Sequence, residues 1–432
     1  MSGSREATGL DHDGGRAPND GAWKAQPAVV VTGVGVAAPN GLGRDAFWEA
    51  TVEGRSGIGP ITRFDPSSYP AQLAGEVPGY DAAEHIPSRL LAQTDHMTRL
   101  ALTAAEWALA DAGVDPKELP EFGMGVVTAS ASGGFEFGHR ELEKLWSKGS
   151  EHVSAYQSFA WFYAVNTGQI SIRHGMRGPT GVLVTEQAGG LDAVAQARRQ
   201  VRKGIPLVVT GGVDASLCPW GWTAQIPNGR LSTSREPAAA FLPFDAGAIG
   251  YVPGEGGAIL VLEDASAARG EAYGEIAGYG ATFDPRPGSG RQPGLRRAAE
   301  IALADAGLER GDVDVVFADA AGVVELDRIE AEAISGIFGP FGVPVTAPKT
   351  MTGRLYSGGA ALDLVSALMS IKHGVIPPTT NVQRLAEGID LDLVRDAPRE
   401  APVRAALVLA RGYGGFNAAM VVRRHTPERT PR

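Results

Sequence analysis

The sequence predicts an α/β protein made of two matched halves, and three observations carry that expectation. Residues 108–113 read Ala108-Leu109-Ala110-Asp111-Ala112-Gly113, and residues 302–307 repeat the same six letters. An apolar, β-rich run follows each copy, at 125–128 and at 313–318. Further on, the run 182–185, the small residues after it and Lys203-Gly204-Ile205-Pro206 are mirrored by 357–368 and His373-Gly374-Val375-Ile376-Pro377. Two ordered series of strands and helices imply a duplicated α/β unit, and the alternation favours mostly parallel strands in each sheet.

In chain order, residues 1–26 are rich in Gly, Asp, Ser and Ala and lack apolar periodicity, which predicts a disordered leader. A strand over 28–32 runs into Gly33-Val34-Gly35 and then a loop. These glycines invite a dinucleotide fingerprint, but the third glycine is missing and Pro39 interrupts the loop, so a nucleotide site is not expected. Residues 97–112 form a helix on the spacing of Leu100, Ala101, Ala104, Trp107 and Ala108, ending at Gly113.

The stretch 182–190 reads as a strand, a sharp turn and a helix closed by Gly204. A side chain on that turn stands at a helix N-terminus, a place suited to a nucleophile because free N–H groups favour developing negative charge. Gln187 occupies it. A carboxamide has no titratable proton, so covalent acyl transfer through this residue is excluded.

The frame Thr185-Glu186-Gln187-Ala188-Gly189-Gly190 resembles the T-x-C-x-x-G turn of β-ketoacyl synthases of the thiolase superfamily, with Gln for the Cys. The V-x-x-QAGG version is similar to the ketosynthase beta subunit, or chain length factor, of bacterial type II polyketide synthases. The resemblance runs over residues ~27 to ~424, a breadth beyond a chance motif match. It implies the thiolase-like fold, five layers in αβαβα order, with an N-terminal half over 27–270, a C-terminal half over 271–424 and a short tail, 425–432. The Leu242-Pro243-Phe244-Asp245 and Gly254-Glu255-Gly256-Gly257 passages are similar to the family's segment beside the active site.

In the family, two His assist the Cys by hydrogen-bonding the thioester carbonyl during decarboxylation. Counting back from Asp327-Arg328-Ile329-Glu330-Ala331 puts one His position at Asp319, and the KxxxGH turn, here Lys349-Thr350-Met351-Thr352-Gly353-Arg354, puts the other at Arg354. The resemblance thus maps Cys-His-His onto Gln187, Asp319 and Arg354. An ionised Asp only accepts hydrogen bonds, and Arg keeps its proton, so neither replaces a His. Asp319 and Arg354 are expected to pair and close the pocket that phosphopantetheine would enter.

The resemblance also implies partners: a catalytic ketosynthase alpha subunit in a heterodimer, acyl carrier protein docking mainly on that partner, and a malonyl-derived polyketide chain. The chain would itself need no cofactor, being the non-condensing subunit of an acyltransferase complex in antibiotic biosynthesis. It places Gly181-Val182-Leu183-Val184-Thr185 at the dimer interface, an uncharged edge that is an aggregation liability unless paired. It places a length-limiting tunnel along Phe135, Gly138 and Leu142, which share one helical face, with Phe159 completing the wall beside Trp161 and Phe162. Gly138 lacks a side chain and Leu142 is smaller than an aromatic, so a deep tunnel and a long product are expected. The rival reading is a malonyl-carrier decarboxylase for priming that uses Gln in place of Cys; such domains keep both His, and this chain keeps neither.

Bulk properties agree with a folded protein that binds neither nucleic acid nor membrane: 44% of the 432 residues are apolar, 20% are charged, and the net charge is −10. No apolar run is long enough to span a bilayer or serve as a signal-peptide core, so a cytoplasmic setting is expected. The single cysteine, Cys218, reads as a small buried hydrophobe away from any helix start. His174 and His373 sit at helix ends, in capping or solvated roles, and no metal motif is present.

Overall fold

The computed structural model describes residues 27–286 and 288–426. The expected leader and most of the expected tail lie outside the described residues. Five strands make the first sheet: β1 (Val29–Ala38), β2 (Met124–Ala129), β3 (Thr180–Leu183), β4 (Leu207–Asp214) and β5 (Gly256–Asp264). Five more make the second: β6 (Gly274–Phe283), β7 (Val315–Phe317), β8 (Pro344–Thr346), β9 (Ala405–Gly412) and β10 (Phe416–Arg423). The spatial orders are β3-β2-β4-β5-β1 and β8-β7-β9-β10-β6, the same permutation twice. Asp392–Leu393 extends the second sheet beyond β8, and two residue pairs of β1 and β6 join the sheets at one corner.

Each sheet is mixed, which corrects the expectation of mostly parallel strands. β2 pairs in parallel with β3 and β4, while β4–β5 and β5–β1 are antiparallel. The second sheet repeats this, with β9 and β10 forming a hairpin about a glycine-rich turn. Alternating strands and helices fix the crossovers, but a hairpin reverses direction and leaves no periodicity to betray it.

Seven helices among the described residues run for ten residues or more: α1 (His96–Asp111), α2 (Phe135–Lys148), α3 (Val165–His174), α4 (Gly189–Arg202), α5 (Leu295–Ala306), α6 (Val324–Phe338) and α7 (Ser357–His373). α1 and α5 lie on the outer faces of the first and second sheets, and α4 and α7 pack on each other between them. The result is the αβαβα sandwich. Residues 357–371 of α7 are all buried, as expected of a helix with small or apolar residues on every side.

The six-letter repeat has a single structural meaning in both halves. A Cβ on Gly33 would lie 2.1 Å from the Ala108 carbonyl oxygen, and one on Gly278 would lie 2.0 Å from that of Ala302. Gly35 and Gly280 meet Ala104 and Ala298 in the same way. The aspartate of each repeat then accepts the backbone N–H between the glycines, Val34 to Asp111 and Tyr279 to Asp305, both at 2.9 Å. Gly33 and Gly35 therefore belong to a strand that continues to Ala38, where the sequence suggested a loop, and they serve close strand–helix packing.

Candidate functional site

The turn after β3 brings its polar residues between the halves. Glu186 adopts a left-handed backbone, φ 52°, and opens a single 3₁₀ turn, Glu186–Ala188, that feeds α4. Gln187 is fully buried. Its carboxamide lies over Gly359, where a Cβ would approach both amide atoms to 2.8 Å, so it points at the first turn of α7. Neither Nε2 nor Oε1 has a hydrogen-bond partner among the described residues.

Asp319 follows β7 in a tight turn, with Ala320 at φ 50°. Glu330 of α6 accepts the Asp319 and Ala320 N–H groups at 2.7 and 2.8 Å, which fixes the turn. Arg354, from the loop before α7, lies 3.3 Å from Asp319 through Nη1 and 3.4 Å from Glu186 through Nε. It also donates to the Arg411 carbonyl at 2.5 Å and sits over the Tyr251 ring. Arg411 closes the other side: its N–H donates to Asp319 at 2.9 Å and its Nε stands 3.4 Å from that carboxylate.

Burial alone would raise the Asp319 carboxyl, but Arg354, Arg411 and Lys349 outweigh it and hold it below the usual carboxylate range. Burial works against the charge of Arg354 as well, and Asp319 and Glu186 overcome it, so its proton is held more firmly than usual. Lys349 is buried and pairs with Asp363 of α7 at 2.8 Å. Around this core, burial and the neighbouring Glu330 push Asp327 up to about 7, against the N–H groups of Phe244 and Gly322 that donate to it.

Of the three positions singled out in the sequence, the structure joins Asp319 and Arg354 directly, while Gln187 is next to the Glu186 that binds Arg354. Sequence reasoning passed over Glu186 and Arg411. Their signals were a carboxylate inside the turn itself and an arginine ending an apolar strand ahead of a glycine run. The space left beside this cluster is a cleft of about 90 Å³ lined by Glu186, Arg230, Tyr251, Asp319, Arg354 and Arg411. That is room for a few waters. Gln187 does not line this cleft, whereas the guanidinium-bearing side chain of Arg354 does.

The proposed tunnel residues divide. On α2, Phe137 and Glu141 face the interior, whereas Phe135 and Leu142 are half-buried on another face. Phe135 stacks on Trp220 at 4.6 Å, and a Cβ on Gly138 would meet the same indole at 2.9 Å. The absent side chain of Gly138 is thus matched by Trp220. Leu142 borders a groove with Trp146 and Trp220, while Phe159 borders a different one with Phe162 and Ile172. β3 is the terminal strand of its sheet, half-buried, and Val184 just beyond it is 44% exposed. Thr185 turns inward to donate to Asp192 at 2.5 Å.

Cys218 is buried, and burial pushes its thiol up to about 11. Contrary to the sequence reading it does stand at a helix start, where its Sγ accepts from Gly221 at 3.4 Å and caps Pro219–Gln225. His174 ends α3, and burial lowers it to about 4, so it stays neutral; His373 ends α7 and stacks on Trp48. No helix among the described residues is long and apolar enough to cross a membrane.

Twice-repeated topology, a strand–turn–α4 elbow facing the start of α7, and polar residues converging from both halves define a thiolase-like condensing-enzyme scaffold. The chain belongs to the β-ketoacyl synthase family: the family's N-terminal domain matches residues 26–268 and its C-terminal domain residues 273–383. It is 63% identical over 404 residues to the actinorhodin polyketide β-ketoacyl synthase 2 of Streptomyces coelicolor, covering 93% of this chain and 99% of that one. It is 62% identical over 406 residues to the tetracenomycin polyketide synthase ketoacyl synthase beta subunit of Streptomyces glaucescens, with the same coverage. Among solved structures, the ishigamide ketosynthase/chain length factor superposes with a TM-score of 0.86 at 27% identity, covering 93% of this chain and all of that one.

Proposed function

We propose that this chain is the ketosynthase beta subunit, or chain length factor, of a type II polyketide synthase. It pairs in the cytoplasm with a catalytic ketosynthase alpha subunit and helps to set the length of a poly-β-ketone chain without condensing it. The observation that carries this reading is the replacement of the condensing constellation by Gln187 and an ion cluster in which Asp319 and Glu186 face Arg354 and Arg411. Gln187 offers no nucleophile, and Asp319 and Arg354 each keep one protonation state at neutral pH. The full burial of Gln187, away from the cleft, also weighs against its use as a malonyl decarboxylase.

The remaining roles follow from this reading. The edge of β3, from Gly181 to Thr185, pairs with its counterpart in the partner, which removes an exposed strand edge. The half-buried face of α2, with Phe135, Gly138 and Leu142, and the indole of Trp220 form this chain's share of the tunnel wall. Phe159 bounds it from the second groove. Carrier protein delivers its phosphopantetheine-borne chain to the partner subunit, and this chain holds no cofactor of its own. Co-expression with a ketosynthase alpha subunit tests the reading: a one-to-one complex that makes a poly-β-ketone is expected. A chain that stays dispersed as a monomer beside an active alpha homodimer would overturn it.

A further inference from the structure

The turn joining β9 to β10, residues 412–415, contains three glycines, with Gly414 at φ 94° and Gly415 at φ 107°. Such a turn has little intrinsic stiffness. Yet three of its flanking or internal backbone groups are held by side chains from elsewhere. The Arg411 N–H donates to Asp319, the Arg411 carbonyl accepts from Arg354, and the Tyr413 N–H donates to Glu186 at 2.8 Å. Glu186 and Arg354 are themselves paired, so the ring of contacts runs from the first half to the second and back. Gly412 is pressed against the elbow, where a Cβ would come within 2.2 Å of the Thr185 carbonyl oxygen. The Tyr413 ring is exposed and lies under the guanidinium of Arg230, which borders the same cleft.

We infer that Glu186, Arg354 and Asp319 form an ionic latch that holds the 412–415 turn shut against the elbow, so that this subunit refuses thioester arms as well as lacking a nucleophile. The inference deepens the reading given under Proposed function and rests on it. Glu186 is the positioning residue of the latch, because it alone touches both the arginine and the turn's own N–H. Charge-assisted hydrogen bonds of this kind fix geometry more firmly than neutral ones. A latch made only of side chains explains why a turn of three glycines needs no bulky residue to close the site.

Hydrogen exchange of the full chain in its purified form reads the latch independently of polyketide synthesis. Glu186→Ala is expected to speed exchange at Tyr413 by tenfold or more, with the β4 amides unchanged; Glu186→Gln, which retains an acceptor, is expected to fall between it and the wild type. Access is read separately in a Gln187→Cys background, where Cys218 serves as the buried internal control for labelling by a pantetheine-maleimide. Adding Glu186→Ala is expected to raise labelling at position 187 at least tenfold over Cys218. Unchanged Tyr413 exchange and unchanged labelling in Glu186→Ala would overturn the latch. If that variant loosens β4 as well, Glu186→Gln decides, and wild-type exchange at Tyr413 in it would overturn the need for the charge. Latch failure with normal complex formation would leave the subunit assignment standing, whereas loss of complex formation with an intact latch would count only against that assignment.

Discussion

Replacing Asp319 probes the buried charge cluster most sharply. The side chain is 1% exposed, accepts the Arg411 N–H at 2.9 Å and faces two guanidinium groups at 3.3 and 3.4 Å. Among the carboxylates of the described residues, Asp319→Ala leaves Arg411 with the more distant Glu330, at 3.7 Å, and Arg354 with Glu186. Removing one partner of a buried ion pair costs about 3–5 kcal/mol. Asp319→Asn should cost less, since its amide oxygen still accepts from Arg411. Adding Arg354→Met to Asp319→Asn removes the stranded charge, so the double variant should be more stable than the summed single losses by ~1–3 kcal/mol. The carboxyl lies below its usual range when folded, so its contribution is complete at neutral pH and is lost as pH falls through that depressed value. Urea denaturation at pH 7.5, followed by circular dichroism, measures these variants together with Arg354→Met alone. A loss under about 1 kcal/mol for Asp319→Ala, or strict additivity in the double variant, would refute the reasoning.

Three further outcomes are expected. Gly138→Thr drives a Cβ to 2.9 Å from Trp220, so it should destabilise the chain by about 1–3 kcal/mol and shorten the dominant product of the complex. Combining it with Trp220→Ala should restore both, and an unrestored product length would move the wall elsewhere. Asp327 is raised to about 7, so the folded state keeps a proton that the unfolded chain releases; its stabilising share is full in acid and fades as pH rises through 7. The stability of the wild type relative to Asp327→Asn should therefore fall between pH 5 and 8, by up to ~1.4 kcal/mol per pH unit, whereas parallel curves would deny the shift. Val182→Asp puts a charge on the terminal strand and should abolish co-purification with an alpha subunit while leaving the chain folded by circular dichroism. Undiminished co-purification would take the interface away from β3.

What the sequence made legible was local. The repeated Ala-Leu-Ala-Asp-Ala-Gly marks a helix end whose small residues admit a strand and whose aspartate caps it, so letter identity reflects geometric identity. The same packing explains Gly33 and Gly35, and the matching Gly278-Tyr279-Gly280 was available in the sequence to say so. Strand direction was not legible, because the hairpin at 412–415 and the long passage from β4 to β5 carry no directional signal. Trp220 over Gly138, and Arg411 beside Asp319, are contacts between distant segments that no periodicity reports. The Asp319–Arg354 contact could be anticipated only because a resemblance aligned two positions that spacing alone would never relate.

In the role proposed above, the chain supports polyketide assembly without carrying the acyl chain. Intact-protein mass spectrometry of the co-purified complex, quenched during turnover with malonyl-loaded carrier protein, tests it subunit by subunit. Acyl adducts are expected on the alpha subunit and none on this chain, which should also release no carbon dioxide from malonyl-loaded carrier protein when assayed alone. An acyl adduct on this chain, or sustained decarboxylation by it alone, would contradict the account.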